Sequence, residues 1–442
     1  MTRAILGLDL GTTEAKAALV DLDGNVLAFE HEGYPTDVGP DGRAEQDPAD
    51  WWAAIEACVR RLGAGAGGGH ANGDPDGRRG SPGSAGAGVL VEAICGVAQG
   101  PTLVAVDARG EPVRPAITWQ DRRARDAGFG FLPRLTWLAG EDPAAVALAR
   151  WLVPAWDALG LWLSGTAATS LQPHEEAPAP ERLRAAGVDP ARLPPGIGMG
   201  DRLGTLRPEV AVRLGLPPGI PVVAGVNDGT ASMLGAGLLE PGDAVYTGGA
   251  SGGFGVYVDR PIALPGTFSA PAPIEGRWVL GGAMAATGAS LDWLVGSILG
   301  GRWSLDELLR EAADVAPGSA GLVFLPYLAG ERAPIFDESA RGAFVGLTLA
   351  HTRGHLVRAV LEGAAYAVRH VAEPILAAGI EVTEMRLAGG PSRSELWARI
   401  KADVTGFPVA IPRVEETAVL GAAILAAAGV GLVPDAAAGC GG

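Results

Sequence analysis

Residues 5 to 21 read Ile-Leu-Gly-Leu-Asp-Leu-Gly-Thr-Thr-Glu-Ala-Lys-Ala-Ala-Leu-Val-Asp, and they constrain the fold more than any other part of the chain. An apolar run from Ala4 to Leu10 meets the turn Gly11-Thr12-Thr13, a second apolar run spans Lys16 to Val20, and Asp23-Gly24-Asn25 marks another hairpin before Val26 to Phe29. Three short strands joined by tight turns predict an N-terminal β-meander. The same strand-turn-strand recurs roughly 240 positions later: Ala244 to Thr247, a bend of small residues from Gly248 to Gly253, then Phe254 to Val258. Glycine-rich hairpins are common, so the recurrence alone leaves both one large domain and two related ones open.

Length favours two or three domains, since the chain has 442 residues. With 48% hydrophobic and 19% charged residues it belongs with soluble globular proteins. Its 67 glycines and 34 prolines are unusually many, and 11 of the glycines crowd into residues 63–88. That stretch has nothing to build a core from and reads as a flexible insertion. It follows a helix that Asp47 caps and Pro48 starts, and precedes a strand at Ile94 to Val97. A net charge of −16 argues against nucleic acid or an anionic membrane as partner, but backbone N–H groups can bind a small phosphate at any net charge. Cys58, Cys95 and Cys440 have no metal or disulfide spacing, which fits a reducing, cytoplasmic setting. The N-terminus does not read as a signal peptide, and Thr417 to Val433 reads as a buried helix rather than a membrane span.

Several nucleotide-binding patterns are missing. Lys16 and Lys401 are the only lysines and neither follows a glycine, which excludes the GxxxxGK[ST] phosphate loop. No GxGxxG stands in a dinucleotide-binding context. His351 and His355 are spaced i, i+4 but lack the glutamate and third ligand of a zinc helix. What remains is Asp9, a lone carboxylate among apolar strand residues beside a Gly-Thr-Thr turn. It is costly to bury unless paired or facing a cation, and the turn offers N–H and hydroxyl groups to phosphate. Asp9 is therefore either a Mg²⁺-side acid or a strand-end turn residue.

Beyond the opening segment, Gly96-Val97-Ala98-Gln99-Gly100 leads to Arg114-Pro115-Ala116-Ile117-Thr118-Trp119-Gln120-Asp121-Arg122-Arg123. Gly225-Val226-Asn227-Asp228-Gly229 follows, then Leu325 to Pro334 with Arg358 to Gly363, then Leu387-Ala388-Gly389-Gly390-Pro391-Ser392-Arg393-Ser394 with Trp397 and Ala402-Asp403. In this order the segments resemble the FGGY carbohydrate kinases of the actin, Hsp70 and sugar-kinase superfamily. The resemblance implies an α/β fold of two actin-like (ribonuclease H-like) domains with the active site in the interdomain cleft. The expected division is 1–237, sugar-binding, and 238–442, nucleotide-binding. It implies ATP and Mg²⁺, a sugar substrate, Asp228 as general base and Asp9 as the acid near the metal. Thr12, Thr13 and Lys16 match the first phosphate loop, Gly248 and Gly249 the second hairpin, and Gly389 and Gly390 the turn over adenosine. Glycine is expected in these bends for close backbone approach and for positive φ. Gln99, Gly100, Pro101, Trp119, Asn227 and Asp228 match the sugar side, although Asp228 also reads as a helix cap and Trp119 as a core residue. A homodimer is one assembly such a chain could form.

Within that family the pattern is most similar to xylulokinases and gluconokinases, and a ketopentose such as D-xylulose leads. Gluconate, ribulose and erythritol are alternatives, and glycerol is disfavoured because Gly100 replaces an Arg. The Met-His pair that xylulokinases carry after Gln is absent here. Glu14 departs from the usual Ser or Asn and is unfavourable beside phosphates unless it turns away. Thr247 to Gly253 lacks one hydroxyl of the usual second loop, and the segment Ser164 to Arg182 is short. The rival classes are a non-catalytic sugar or nucleotide sensor, against which Asp9 and Asp228 both argue, and an actin-like ATPase, for which no partner surface is marked.

Overall fold

A computed structural model of the chain describes residues 1–64, 88–124, 130–171 and 178–440. Almost all of the glycine-rich insertion expected at 63–88, and part of the segment Ser164 to Arg182, lie outside the described residues. The chain divides into two compact units, Met1–Gly235 with Ala418–Gly442, and Ala236–Thr417.

In the first unit the predicted meander is present as strands Thr2–Leu10, Glu14–Asp21 and Val26–Gly33, paired antiparallel. Thr2–Leu10 also pairs in parallel with Val89–Ala98, which pairs in parallel with Pro221–Val223, and Arg202–Thr205 closes the six-stranded sheet. Ala4 through Leu10 are all buried, because a central strand with neighbours on both edges is covered on both faces. The helix Pro48–Ala64 starts where Asp47 accepts the Ala49 N–H at 2.8 Å. Trp51, Ile55, Val59 and Leu62 then recur at helical spacing in the core formed with the sheet. A five-stranded sheet includes Ala44–Gln46, Leu103–Val106 and Ala116–Ile117.

The second unit repeats the plan. Asp243–Gly248, Gly252–Val258 and Trp278–Met284 form an antiparallel meander, and Asp243–Gly248 pairs in parallel with Glu384–Gly389, which pairs in parallel with Val409–Ala410. Three antiparallel strands followed by two parallel ones in both units turn the short sequence recurrence into a structural duplication. The long helix Arg353–Ala377 buries Val357, Val360, Leu361, Ala364, Val368, Val371 and Ile375, a stripe at 3.6-residue spacing. His351 and His355 close turns at its start: their Nδ1 atoms accept N–H groups of Thr348 at 2.9 Å and Thr352 at 3.2 Å. No group of three potential metal ligands occurs among the described residues.

One boundary differs from the sequence expectation. Residues 418–442 belong to the first unit, not to a second domain running to 442. The helix Thr417–Gly429 is apolar throughout, and its backbone meets the first unit closely. A Cβ at Gly7 would lie 2.5 Å from the Val419 carbonyl oxygen, and one at Gly421 would lie 1.9 Å from that of Ala231. A helix without a polar face needs burial all round, which the neighbouring apolar surface supplies. No helix of the described residues is long and apolar enough to cross a membrane.

Gly421→Ala is expected to cost ~2 kcal/mol, because the added methyl overlaps a carbonyl. Gly63→Ala, in a helix with open space around it, should stabilise by about 0.5–1 kcal/mol. Urea unfolding of the two variants checks both signs.

Candidate active site

The opening hairpin sets Asp9 opposite Lys16 in register. Asp9 is 5% exposed, a carboxylate at the end of an apolar strand. Beyond it the Gly11 N–H donates to the Glu14 carbonyl at 3.0 Å, and the Tyr34 hydroxyl donates to the Gly11 carbonyl. Burial, followed by the charges of Asp9, Asp228 and Glu14, pushes the Tyr34 phenol above its ordinary range. Two acids of the opening hairpin and one from more than 200 positions later thus share one neighbourhood. The Thr12 carbonyl accepts from Gln46 Nε2 at 2.7 Å, and its hydroxyl accepts from the Trp119 indole N–H at 3.0 Å. Thr13 is exposed at the tip of the turn. Glu14 lies against His31 Nδ1 at 3.0 Å and Lys16 Nζ at 3.6 Å, so the Lys16 ammonium offsets its charge.

Val89–Ala98 delivers Gln99, whose backbone N–H donates to Leu10 at 2.8 Å. Its side chain is fully buried, with Nε2 donating to Gln46 Oε1 at 2.7 Å. Oε1 has no hydrogen-bond partner among the described residues, so one acceptor remains on a residue otherwise committed to the wall. Gly100 lies against Trp156: a Cβ there would be 2.7 Å from the Trp156 ring and 3.3 Å from Asn227 Cβ. Pro101 follows it, half-buried. Trp119 is likewise half-buried, and Arg134 donates to its carbonyl at 2.7 Å and to that of Thr118 at 3.0 Å.

Asn227, not Asp228, caps the helix Asp228–Gly235, accepting the Thr230 N–H at 2.8 Å. Asp228 is thereby released from capping and sits half-buried in the first turn, where the N-terminal dipole favours an anion. Its Oδ1 accepts the Gly229 N–H at 2.7 Å. Burial pushes its carboxyl up to about 6, while the Gly229 N–H and Lys16 pull the other way. The structure therefore gathers Asp9, Thr12, Lys16, Gln99, Gly100, Trp119, Asn227 and Asp228 in the first unit. Sequence reasoning missed Tyr34, Gln46 and Trp156, which hold the turn and wall. Gln46 sits next to the helix-capping Asp47, but nothing in its local sequence marks the role.

The other matched residues lie in the second unit. Gly248 and Gly252 pair across the hairpin turn, and Gly248 and Gly389 pair across parallel strands. A Cβ on Gly389 would lie 2.1 Å from the Gly248 carbonyl oxygen, and one on Gly248 would lie 2.3 Å from Pro391. Gly389 has φ 77°, whereas Gly11, Gly248, Gly249 and Gly390 are not in the left-handed region. Positive φ thus explains only one of these glycines. Gly249 and Gly390 face open space and leave backbone accessible at the two bends.

Two family models match: "FGGY family of carbohydrate kinases, N-terminal domain" over residues 4–128 and "FGGY family of carbohydrate kinases, C-terminal domain" over 244–430. A gluconokinase from Bacillus subtilis is 28% identical, the alignment covering 96% of this chain and 87% of the other. A xylulose kinase from Lactococcus lactis is 30% identical over 97% and 88%, and a glycerol kinase from Thermus brockianus 32% over 97% and 90%. The crystal structure of gluconate kinase from Lactobacillus acidophilus superposes with a TM-score of 0.85 at 24% identity, covering 99% of this chain and 91% of that one.

The folded Asp228 retains a proton that the unfolded chain has lost between pH of about 4 and 6, so its contribution to stability falls as pH rises through that window. Asp228→Asn should remove this slope and raise stability by up to about 3 kcal/mol at pH 7, read from denaturant unfolding at several pH values. Gly389→Ala should cost ~2 kcal/mol while Gly390→Ala leaves the midpoint unchanged.

Proposed function

The chain belongs to the FGGY family of carbohydrate kinases and is a sugar kinase, and we propose that its substrate is a ketopentose such as D-xylulose, with Asp228 as general base. The observation that carries this reading is Asp228: a carboxylate relieved of capping by Asn227, raised toward neutrality by burial, beside the lysine of the first turn. A base with a pKa near working pH can take a proton from an alcohol as it attacks. The sugar hydroxyl oxygen bonds to the γ-phosphorus of ATP, its proton passes to Asp228, and the bond to the β-phosphate oxygen breaks to release ADP. Gly11 to Thr13 with Lys16, and the bends at Gly248–Gly249 and Gly389–Gly390, are assigned to ATP. In this reading their open backbone and one ammonium do what the absent phosphate loop does elsewhere.

Asp9 suits Mg²⁺: it is a hard oxygen donor, and Mg²⁺ is commonly held by one or two carboxylates with water and substrate phosphates, not by an all-protein cage. When bound, the ion neutralises charge developing on the phosphates. Lys16 adds a second positive charge opposite Asp9.

Two features favour a neutral ketose. Arg114 and Arg123, which flank Trp119 in sequence, are both tied to Glu45, and further to Asp142 and Asp121 respectively, so neither is left for the carboxylate of gluconate. Trp156 fills the space beside Gly100, which leaves no room for the arginine of the glycerol pattern. Trp119 offers an aromatic face to sugar C–H groups.

In a coupled ADP-release assay over xylulose, ribulose, gluconate, glycerol and erythritol, xylulose should give the highest kcat/KM; a higher value for gluconate overturns the ketose assignment. Asp228→Asn should lower kcat by about 10²–10⁴ with ATP affinity nearly unchanged. Because the carboxylate is the active form, kcat/KM of the parent enzyme should fall about tenfold per pH unit below about 6. Near-normal turnover by the variant removes Asp228 as the base.

A further inference from the structure

Lys401 is the second of two lysines and takes no part in the chemistry above. It stands on the helix Glu395–Thr405 with its side chain fully buried. Nζ lies 3.9 Å from the Trp397 ring centroid and 4.6 Å from that of Tyr246, with no hydrogen-bond partner among the described residues. Two aromatic faces attract an ammonium but cannot accept its protons as a carbonyl would. Tyr246 is also the floor of the hairpin turn. A Cβ at Gly248 would lie 2.7 Å from its ring, and one at Gly252 would lie 3.0 Å from its hydroxyl, which is 3.0 Å from Thr287 Oγ1. One phenol ring therefore separates a buried amine from the bend assigned to nucleotide phosphate.

We propose that Lys401 is a positioning residue for the nucleotide, taking up a proton from solvent when anionic phosphate binds at the Gly248–Gly252 turn. The proposal rests on the reading of that turn as a phosphate site. Full burial with no hydrogen-bond acceptor at Nζ drives the Lys401 amine well below its ordinary value and so favours its neutral form while nothing is bound. Charged groups on the elements around it are engaged elsewhere. Glu395 pairs with Arg399 on its own helix, where Asp403 is exposed; Arg369 of the long helix pairs with Glu373 and donates to the Thr405 carbonyl. Arg386 lies against Glu384 and Asp243, and Arg393 pairs with Glu415. The Tyr246 phenol, pushed up to about 12 by burial, stays neutral. A negative charge roughly 10 Å away at an effective dielectric of about 20 favours the ammonium about tenfold, and the two rings then hold the cation under the turn.

The test is calorimetric titration of the full chain with ADP at pH 8, where the terminal phosphate is ionised, in buffers of different ionisation enthalpy. The binding enthalpy should vary with buffer, reporting uptake of a fraction of a proton per ADP, at most about 0.5 for a tenfold shift. Lys401→Met should abolish that uptake and raise the Kd about twofold to threefold. Buffer-independent enthalpy in the parent protein overturns the proposal whatever the variant does, as does equal uptake by Lys401→Met. Gly248→Val, whose side chain meets Pro391 and Tyr246, tests the site itself: ADP binding as tight as in the parent overturns the phosphate reading and the proposal with it.

Discussion

Both units depend on a place where backbone meets backbone with no side chain between. In the second unit the Gly389 Cα faces the Gly248 carbonyl, and a methyl there would sit 2.1 Å from the oxygen. In the first, Gly225 faces Gly96, and a Cβ would sit 1.8 Å from its carbonyl oxygen. Each contact lies toward the ends of neighbouring parallel strands, where open α/β sheets place their ligands. The loop leaving Gly225 carries Asn227 and Asp228; the loop leaving Gly389 carries Gly390 and Pro391. Had either glycine carried a side chain, the strands would part and the loops would lose the positions on which the proposed chemistry rests.

Charge is handled by the same economy. The chain carries −16 overall, yet its proposed catalysis needs a polyanion held beside two carboxylates. Lys16 stands opposite Asp9 and lowers Asp228, while Glu14 lies against His31 and Lys16 itself. The exposed acids cost little, since solvent screens them within about 10 Å. Asp228, the proposed base, lies in surroundings that raise it toward the pH at which a base must work, and a loss of stability of this kind is the usual cost of a reactive group.

Elements with strong local signals were legible in the chain. The meander, the Asp47 cap and the buried helix at Thr417 follow from turn residues, capping chemistry and hydrophobic pattern, each a matter of a few neighbouring residues. Asp9 and Asp228 stood out because a carboxylate in apolar or glycine-rich sequence needs a reason. Other features were not legible because their causes are distant. Asn227 rather than Asp228 caps the helix, although both residues suit a cap, and only the observed hydrogen bonds separate them. Gln99, matched to the sugar side, is fully buried with its amide taken by Gln46, 53 positions earlier, a partner that no local pattern marks.

Local conformational preference and the cost of burying charge were enough to mark the hairpins and the two carboxylates in the chain, whereas the short recurrence became a duplicated plan only through strand pairing. Tertiary structure alone decided which glycines are obligatory. Gly390 and Gly389 are adjacent and chemically identical, yet only Gly389 has φ 77° and a carbonyl in the way. It also decided that residues 418–442 return to the first unit and that Lys401 lies between two rings. The physical reason is one of range: backbone preference acts over a few residues, whereas close approach, burial and the electrostatic surroundings of an amine are set by atoms far away in the chain.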